Sequence, residues 1–170
     1  MRSIPSGLSR ALFRFPIWLY RIGLGWMLGK RMLHLSHTGR RSGLAREVVL
    51  EVVRYWEPSN TYVVASAWGE KADWYQNLRA APEVWIKVGR LSSAAIATSL
   101  SEDDAERALL EYASDHPTAL RYLSSFMGFE TPENEDDVRQ IGRQLPMVGL
   151  KPTIDLRSQQ PYPDERSVAH

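Results

Sequence analysis

The strongest pattern along the chain is an alternation with a period of two. In REVVLEVVRY, residues 46–55, Val48, Leu50 and Val52 fall on one side and Val49, Glu51 and Val53 on the other, as a strand requires. Residues 31–38 predict a shorter strand before it, with Gly39–Ala45 as the turn between them. TYVVASAW (61–68) predicts the next strand, and EPSN (57–60) supplies turn chemistry that favours a hairpin over a crossover helix. VWIKVGRLSSAAIATSL (84–100) predicts a further hairpin turning at Gly89–Arg90. LPMVGLKPTIDL (145–156) predicts a last strand, with prolines that suit a sheet edge.

Helical spacing fills most of the remainder. Leu12, Phe13, Ile17, Tyr20, Leu24 and Leu28 recur on one side of a helical stretch over 7–29, interrupted at Pro16. GEKADWYQNLRAAPE (69–83) predicts a short helix capped by Asp73, with Gln76 three residues on and Pro82 as its stop. An acid-led helix is predicted over Ser101–Ala113, a second over His116–Phe126 and a third over Glu133–Gln144. Short strands joined mostly as hairpins, with helices interposed, predict an α+β domain around a small antiparallel barrel. The division expected is an N-terminal helical segment (1–30), a barrel domain (31–157) and a loose tail (158–170). A parallel nucleotide-binding sheet is disfavoured, because no strand, Gly-rich turn and helix follow one another in the required order.

Composition narrows the chemistry. The 170 residues include no cysteine, which excludes disulfides, thiol catalysis and thiolate metal sites. Arg14 and Arg21 interrupt the apolar start, so neither a membrane span nor a secretory signal fits it. A cytoplasmic protein is expected. Basic and aromatic residues over 1–29 would also let it sit peripherally on the inner membrane face. The net charge of +1 conceals a strong asymmetry: residues 1–46 hold nine Lys or Arg and no acid.

That cationic start ends in SHTGRRSGLAR, residues 36–46. Thr38 and Ser42 offer hydroxyls there, the glycines allow close backbone approach, and Arg40, Arg41 and Arg46 offer permanent forked charge. Such a turn suits a phosphate or carboxylate on a cofactor, with a solvated basic turn as the competing reading. It lacks the Walker spacing and the Lys–Ser/Thr ending. His34 and His37 stand an odd number of residues apart, on opposite strand faces, so no metal site is expected. No nucleophile motif surrounds a serine. Nucleic-acid binding is not expected either, since the arginines sit in a tight Gly-containing turn and no recognised module accompanies them.

With LYRIGLG…LGKRML, SHTGRRSGLAR, YVVASAWG, DWYQNLRAAPEV and LPMVGLKP in this order, the chain resembles the deazaflavin-dependent nitroreductase family over roughly residues 12–156. The resemblance implies a split β-barrel related to FMN-binding barrels. It implies coenzyme F420 and hydride transfer between the reduced deazaflavin and an electrophilic organic acceptor such as a nitro compound, quinone or enone. It implies that Arg40, Arg41, Ser42, Gly43 and Arg46, with Thr38 beside them, surround the cofactor's phosphate and acidic tail. Ala65, Ser66, Ala67, Trp68 and Gly69 would run beside the ring, their amides supporting negative charge, with Ser66 in a catalytic role. Asp73, Trp74, Tyr75 and Asn77 would shape the same pocket, although Trp74 also suits a core and Asp73 a helix cap. Tyr112, Tyr122 and Phe126, with Phe129 and Trp68, would line the acceptor side, and Tyr112 would donate a hydrogen bond or proton. Core packing is the competing reading for Tyr112 and Phe126, and the favoured one.

Two departures stand out. Many relatives carry proline shortly after the arginine at 46, where this chain has Glu47-Val48-Val49. Many carry Gly–Gly after the AS strand, where Trp68 precedes Gly69 here. The rival functions are an FMN-dependent reductase or oxidase on the same barrel, and a noncatalytic F420-binding or membrane-associated protein. Barrels of this resemblance often pair, so a homodimer is expected unless the N-terminal segment covers the pairing surface.

Overall fold

The computed structural model describes residues 31–89 and 91–153. The segment expected over 1–30, with its membrane contact, and the tail expected over 158–170 lie outside the described residues. Among the described residues there are six strands: β1 (Met32–Thr38), β2 (Ala45–Trp56), β3 (Thr61–Ala65), β4 (Glu83–Val88), β5 (Leu91–Ser99) and β6 (Met147–Pro152). Four helices accompany them: α1 (Asp73–Ala80), α2 (Glu102–Asp115), α3 (Pro117–Met127) and α4 (Glu135–Gln144). The strands close into a barrel in the order β1-β2-β3-β6-β5-β4. Every pairing is antiparallel, with β4 returning to β1.

The expected edge position of the last strand is corrected here. β6 lies between β3 and β5 and is paired along both sides. Its prolines do not interrupt the ladder, because Pro146 precedes the strand and Pro152 ends it. A closed barrel removes the need for an edge.

Strand alternation explains two cores rather than one. On the inner face, Leu33, Leu35, Tyr62, Val64, Ile86, Val88, Val148 and Leu150 fill the barrel, joined by Trp74, Tyr75 and Leu78 of α1. On the outer face, Val53, Val63 and Met147 pack against Ala108, Leu109 and Tyr112 of α2, Leu120 of α3, and Val138 and Ile141 of α4. The two-sided apolar character of β2 follows. One face looks into the barrel and the other is roofed by helices. Arg54 reaches the same roof and pairs with Glu111 at 2.8 Å and Asp115 at 2.7 Å.

Local caps set the helix starts. Ser101 Oγ accepts from the Asp104 amide at α2, and Asn134 Oδ1 accepts from the Asp137 amide at α4. The cap expected at Asp73 is corrected. Ala72 is the cap residue, without a side-chain bond, and Asp73 is the first residue of α1. Its carboxylate turns instead to Arg40.

Glu106 locks α2 to α4. Its carboxylate accepts from Arg139 at 2.6 Å and from Arg143 at 2.8 Å. Hydrogen bonds from Arg139 and then Arg143 hold this carboxyl below the ordinary glutamate range. A depressed folded-state value contributes stability that is full above the unfolded value and is lost as pH falls through the folded one. The stability difference between wild type and Glu106→Gln should therefore shrink on acidification below about pH 4.3, the ordinary glutamate value. Thermal unfolding of both proteins across that range checks the sign. A gap that widens on acidification would contradict it.

Candidate functional site

A cavity of about 470 Å³ opens where the β1–β2 turn meets the start of α1. Its walls include His37, Arg40, Arg41, Ser42, Arg46, Glu47, Asp73, Trp74 and Asn77. The turn is built by its own backbone. The Gly39 amide donates to the Leu44 carbonyl and the Gly43 amide to the Gly39 carbonyl, each at 2.8 Å. Gly43 takes φ 67°, a conformation that favours glycine. Ser42 Oγ accepts from the Leu44 amide at 3.3 Å. The glycine amides are thus occupied inside the turn, and reaching outward falls to the side chains.

The three arginines divide into two kinds. Arg40 is fastened to α1. Its amide and its guanidinium both donate to Asn77 Oδ1 at 3.0 Å, and the guanidinium pairs with Asp73 at 3.1 Å. Arg41 and Arg46 are exposed, and their guanidinium groups have no hydrogen bond or ion pair among the described residues. Since Asp73 offsets Arg40, these two cations face one carboxylate, that of Glu47, and the cavity is net cationic. Behind them His37 is buried, and its Nδ1 stands 3.3 Å from Asn77 Nδ2. Burial pushes His37 below the ordinary histidine value. The Thr38 backbone opposes that shift, the Arg46 charge adds to it and Asp73 opposes it.

The donor set fits a phosphorylated, acidic cofactor tail: two guanidinium forks and a hydroxyl at an open concavity, with Trp74 as an apolar wall. It does not separate F420 from FMN, because a phosphate on either would meet the same groups.

The remaining expected residues are placed as follows. Thr38 is exposed at the end of β1, paired with Ala45. Residues 65–69 leave β3 toward α1 but do not line the cavity. Within that loop two of the expected amides already bond inside the protein. The Ser66 amide donates to the Pro146 carbonyl and the Gly69 amide to the Ser66 carbonyl. Ser66 is fully buried, and its hydroxyl donates to the Gly69 carbonyl at 2.7 Å. Ser66 therefore shapes the loop rather than facing a ligand. Trp68 is 41% exposed.

Tyr112 is not brought to the cavity. It is buried beneath α2, and its hydroxyl donates to Glu51 Oε1 at 2.9 Å, an oxygen that also accepts from Arg31. Burial first, then Glu51, pushes its phenol up to about 12, so near neutral pH it keeps its proton, which is directed to Glu51. Tyr122 stands 76% exposed on α3. Phe129 packs with the outer core. Phe126 lies on α3, its side chain outside those described. We expect Tyr112→Phe to leave steady-state reduction within about twofold and to lower stability by about 1 kcal/mol, the net value of one hydrogen bond. Kinetics together with denaturant unfolding check both numbers. A loss of turnover at unchanged stability would return Tyr112 to the chemistry.

His37, Glu47, Val48 and Gly39 line the cavity without having been singled out as cofactor residues. The available signal was strand parity, which puts His37 and Leu35 on one face, but parity does not say which face the cavity meets. Among the described residues no group of three or more His, Cys, Asp or Glu is placed to hold a metal ion. Among them, too, no helix is long and apolar enough to cross a membrane.

Solved structures resemble this fold at low identity. An FMN-binding, pyridoxamine 5'-phosphate oxidase-related protein from Nostoc punctiforme is 13% identical, covers 88% of this chain and 83% of its own, and superposes with a TM-score of 0.51. An F420H2-dependent reductase is 17% identical, covers 72% of this chain and 96% of its own, with a TM-score of 0.50. The fold class is therefore the split β-barrel that also carries FMN-binding proteins. A family model described as F420H(2)-dependent quinone reductase matches residues 17–125, more than half of the chain. The chain belongs to the F420H2-dependent quinone reductase family, and is an F420-dependent oxidoreductase. No curated protein sequence matches it.

Proposed function

We propose that this protein reduces a quinone-type acceptor with F420H2, holding the cofactor's phosphate and acidic tail at the cationic cavity. The family match supports the cofactor. The observation that carries the site is the pair of outward arginines, Arg41 and Arg46, beside Ser42 in a turn whose glycine amides bond within it. When bound, the deazaflavin supplies the hydride.

The chain's own residues do the positioning. Arg41 and Arg46 hold the tail by forked, charge-assisted hydrogen bonds. Asp73 and Asn77 keep Arg40, and with it the turn, in register with α1. Trp74 walls the cavity where the tail would meet the ring. Ser66 fixes the course of residues 65–69, along which the ring would lie, and the exposed Trp68 offers an aromatic face to a flat acceptor. No protein group need shuttle a proton, and Tyr112, bonded to Glu51 away from the cavity, is given no such role. The barrel over 31–157 would act as one unit. A neighbouring structure with the fold is a domain-swapped dimer at a TM-score of 0.50, and a homodimer is our proposal for this chain as well.

Anaerobic oxidation of F420H2 with a naphthoquinone, a nitroaromatic and an enone, each at matched concentration, tests the acceptor. We expect the quinone to react at least about tenfold faster, a difference of roughly 1.4 kcal/mol in transition-state binding. A faster nitroaromatic or enone would overturn the acceptor class. Oxidation of FMNH2 in place of F420H2 would overturn the cofactor.

A further inference from the structure

The carboxamide of Asn77 can take one orientation only. Its Oδ1 lies 3.0 Å from two donors, the Arg40 amide and the Arg40 guanidinium. Turning the group over would set an NH2 against both. Nδ2 must therefore face His37 Nδ1, 3.3 Å away, and an NH2 can only donate there. His37 Nδ1 is then an acceptor, so its single proton sits on Nε2.

We propose that Asn77 is the positioning residue of this cavity, its locked carboxamide holding Arg40 back against α1 and fixing buried His37 as the Nε2–H tautomer. This deepens the proposed function by naming what decides which arginines meet the anion. Arg40 is withheld, and Arg41 and Arg46 are left to the ligand. The three residues come from different elements: His37 from β1, Arg40 from the turn and Asn77 from α1. One side chain thus sets both the floor and the latch of the cavity. The charged groups around His37 agree with a neutral ring. Burial first, then the Arg46 charge on β2, disfavours a second proton, against the Thr38 backbone on β1 and Asp73 on α1.

Imidazole nitrogen NMR on the full-length, ligand-free protein reads the tautomer directly. We expect an unprotonated Nδ1 and a protonated Nε2 for His37 at neutral pH. Asn77→Asp keeps an acceptor for Arg40 but replaces the donor to Nδ1 with a carboxylate, so His37 should titrate about one pH unit higher or more. Asn77→Ala and Arg40→Ala should each weaken F420 binding about tenfold, and the double variant should be no worse than either single one, because both break one latch.

A Nδ1–H tautomer in the wild type would overturn the inference. So would an unmoved His37 titration in Asn77→Asp, or additive losses in the double variant. The tautomer is read on unaltered protein, so a variant that fails to fold leaves the test intact. Failure of wild-type protein to bind F420 would count against the cofactor site alone, and the wrong tautomer against Asn77 alone.

Discussion

Removing both outward arginines should weaken cofactor binding roughly 1,000-fold while leaving the fold in place. Each of Arg41 and Arg46 is positioned to make charge-assisted hydrogen bonds, each worth about 1.5–3 kcal/mol. Arg41→Ala or Arg46→Ala alone should weaken F420 binding roughly 10- to 100-fold, and the pair roughly 1,000-fold. Both side chains are exposed and make no ion pair among the described residues. Substitution should therefore move stability by no more than about 0.5 kcal/mol. Arg40→Ala should behave differently and lose both stability and affinity, because its guanidinium joins the turn to Asp73 and Asn77. Wild-type affinity should fall with added salt, and the double variant's residual affinity should not. Calorimetry at two salt concentrations, with thermal unfolding beside it, measures all four quantities. Equal affinity in the double variant would remove these residues from the site.

Gly142→Ala should be the most damaging single methyl in the described part of the protein. A Cβ on Gly142 of α4 would stand 2.7 Å from the Glu106 Cα and 3.2 Å from the Glu106 amide nitrogen on α2. Backbone cannot swing aside as a flexible side chain can, so the two helices would have to separate. Separation would also stretch the bonds from Arg139 and Arg143 to Glu106 and open the outer core at Ile141 and Ala105. Overpacking of this kind costs about 1–3 kcal/mol. For a chain of this size that lowers Tm by roughly 3–10 °C. Gly142 has an ordinary helical backbone, so no gain from strain relief offsets the clash. Cofactor affinity should be unchanged, because the cavity lies on the turn and α1. Differential scanning calorimetry checks the shift. A Tm within about 1 °C of wild type would mean that the helices already have room for a methyl there.

Much of the barrel was legible because strand alternation is a local signal. The β2 period, the Gly89 turn between β4 and β5 and the Ser101 cap of α2 all sit where residues 46–55, 84–100 and 101–113 indicated. A barrel was expected, but the strand order that closes it was not legible. Pairing of β6 with both β3 and β5 depends on register between distant segments, and flanking prolines resemble an edge signal whether or not an edge exists. The outer core was hidden for a similar reason. Parity puts Val53 and Glu51 on one face but does not say that α2 will cover it.

The candidate site was legible in its composition and not in its wiring. The arginines, Ser42, Asp73, Trp74 and Asn77 could be singled out by resemblance, and they do meet around one cavity. That Arg40 is held by Asn77, 37 positions away in sequence, follows only from docking α1 beside the turn. The same holds for the occupied hydroxyl and amide of Ser66, whose partners Gly69 and Pro146 lie on different segments. Tyr112 takes the core-packing alternative that its sequence also offered. An aromatic in the right stretch of sequence faces the barrel's outer wall because its position on α2 falls on the buried stripe with Ala105, Ala108 and Leu109.

A crystal structure of the full-length protein with F420 bound tests the central claim most directly. We predict phosphate or carboxylate oxygens of the tail within about 3 Å of the Arg41 and Arg46 guanidinium nitrogens, with Arg40 still on Asp73 and Asn77. A tail seated elsewhere, with both guanidinium groups directed into bulk solvent, would contradict it.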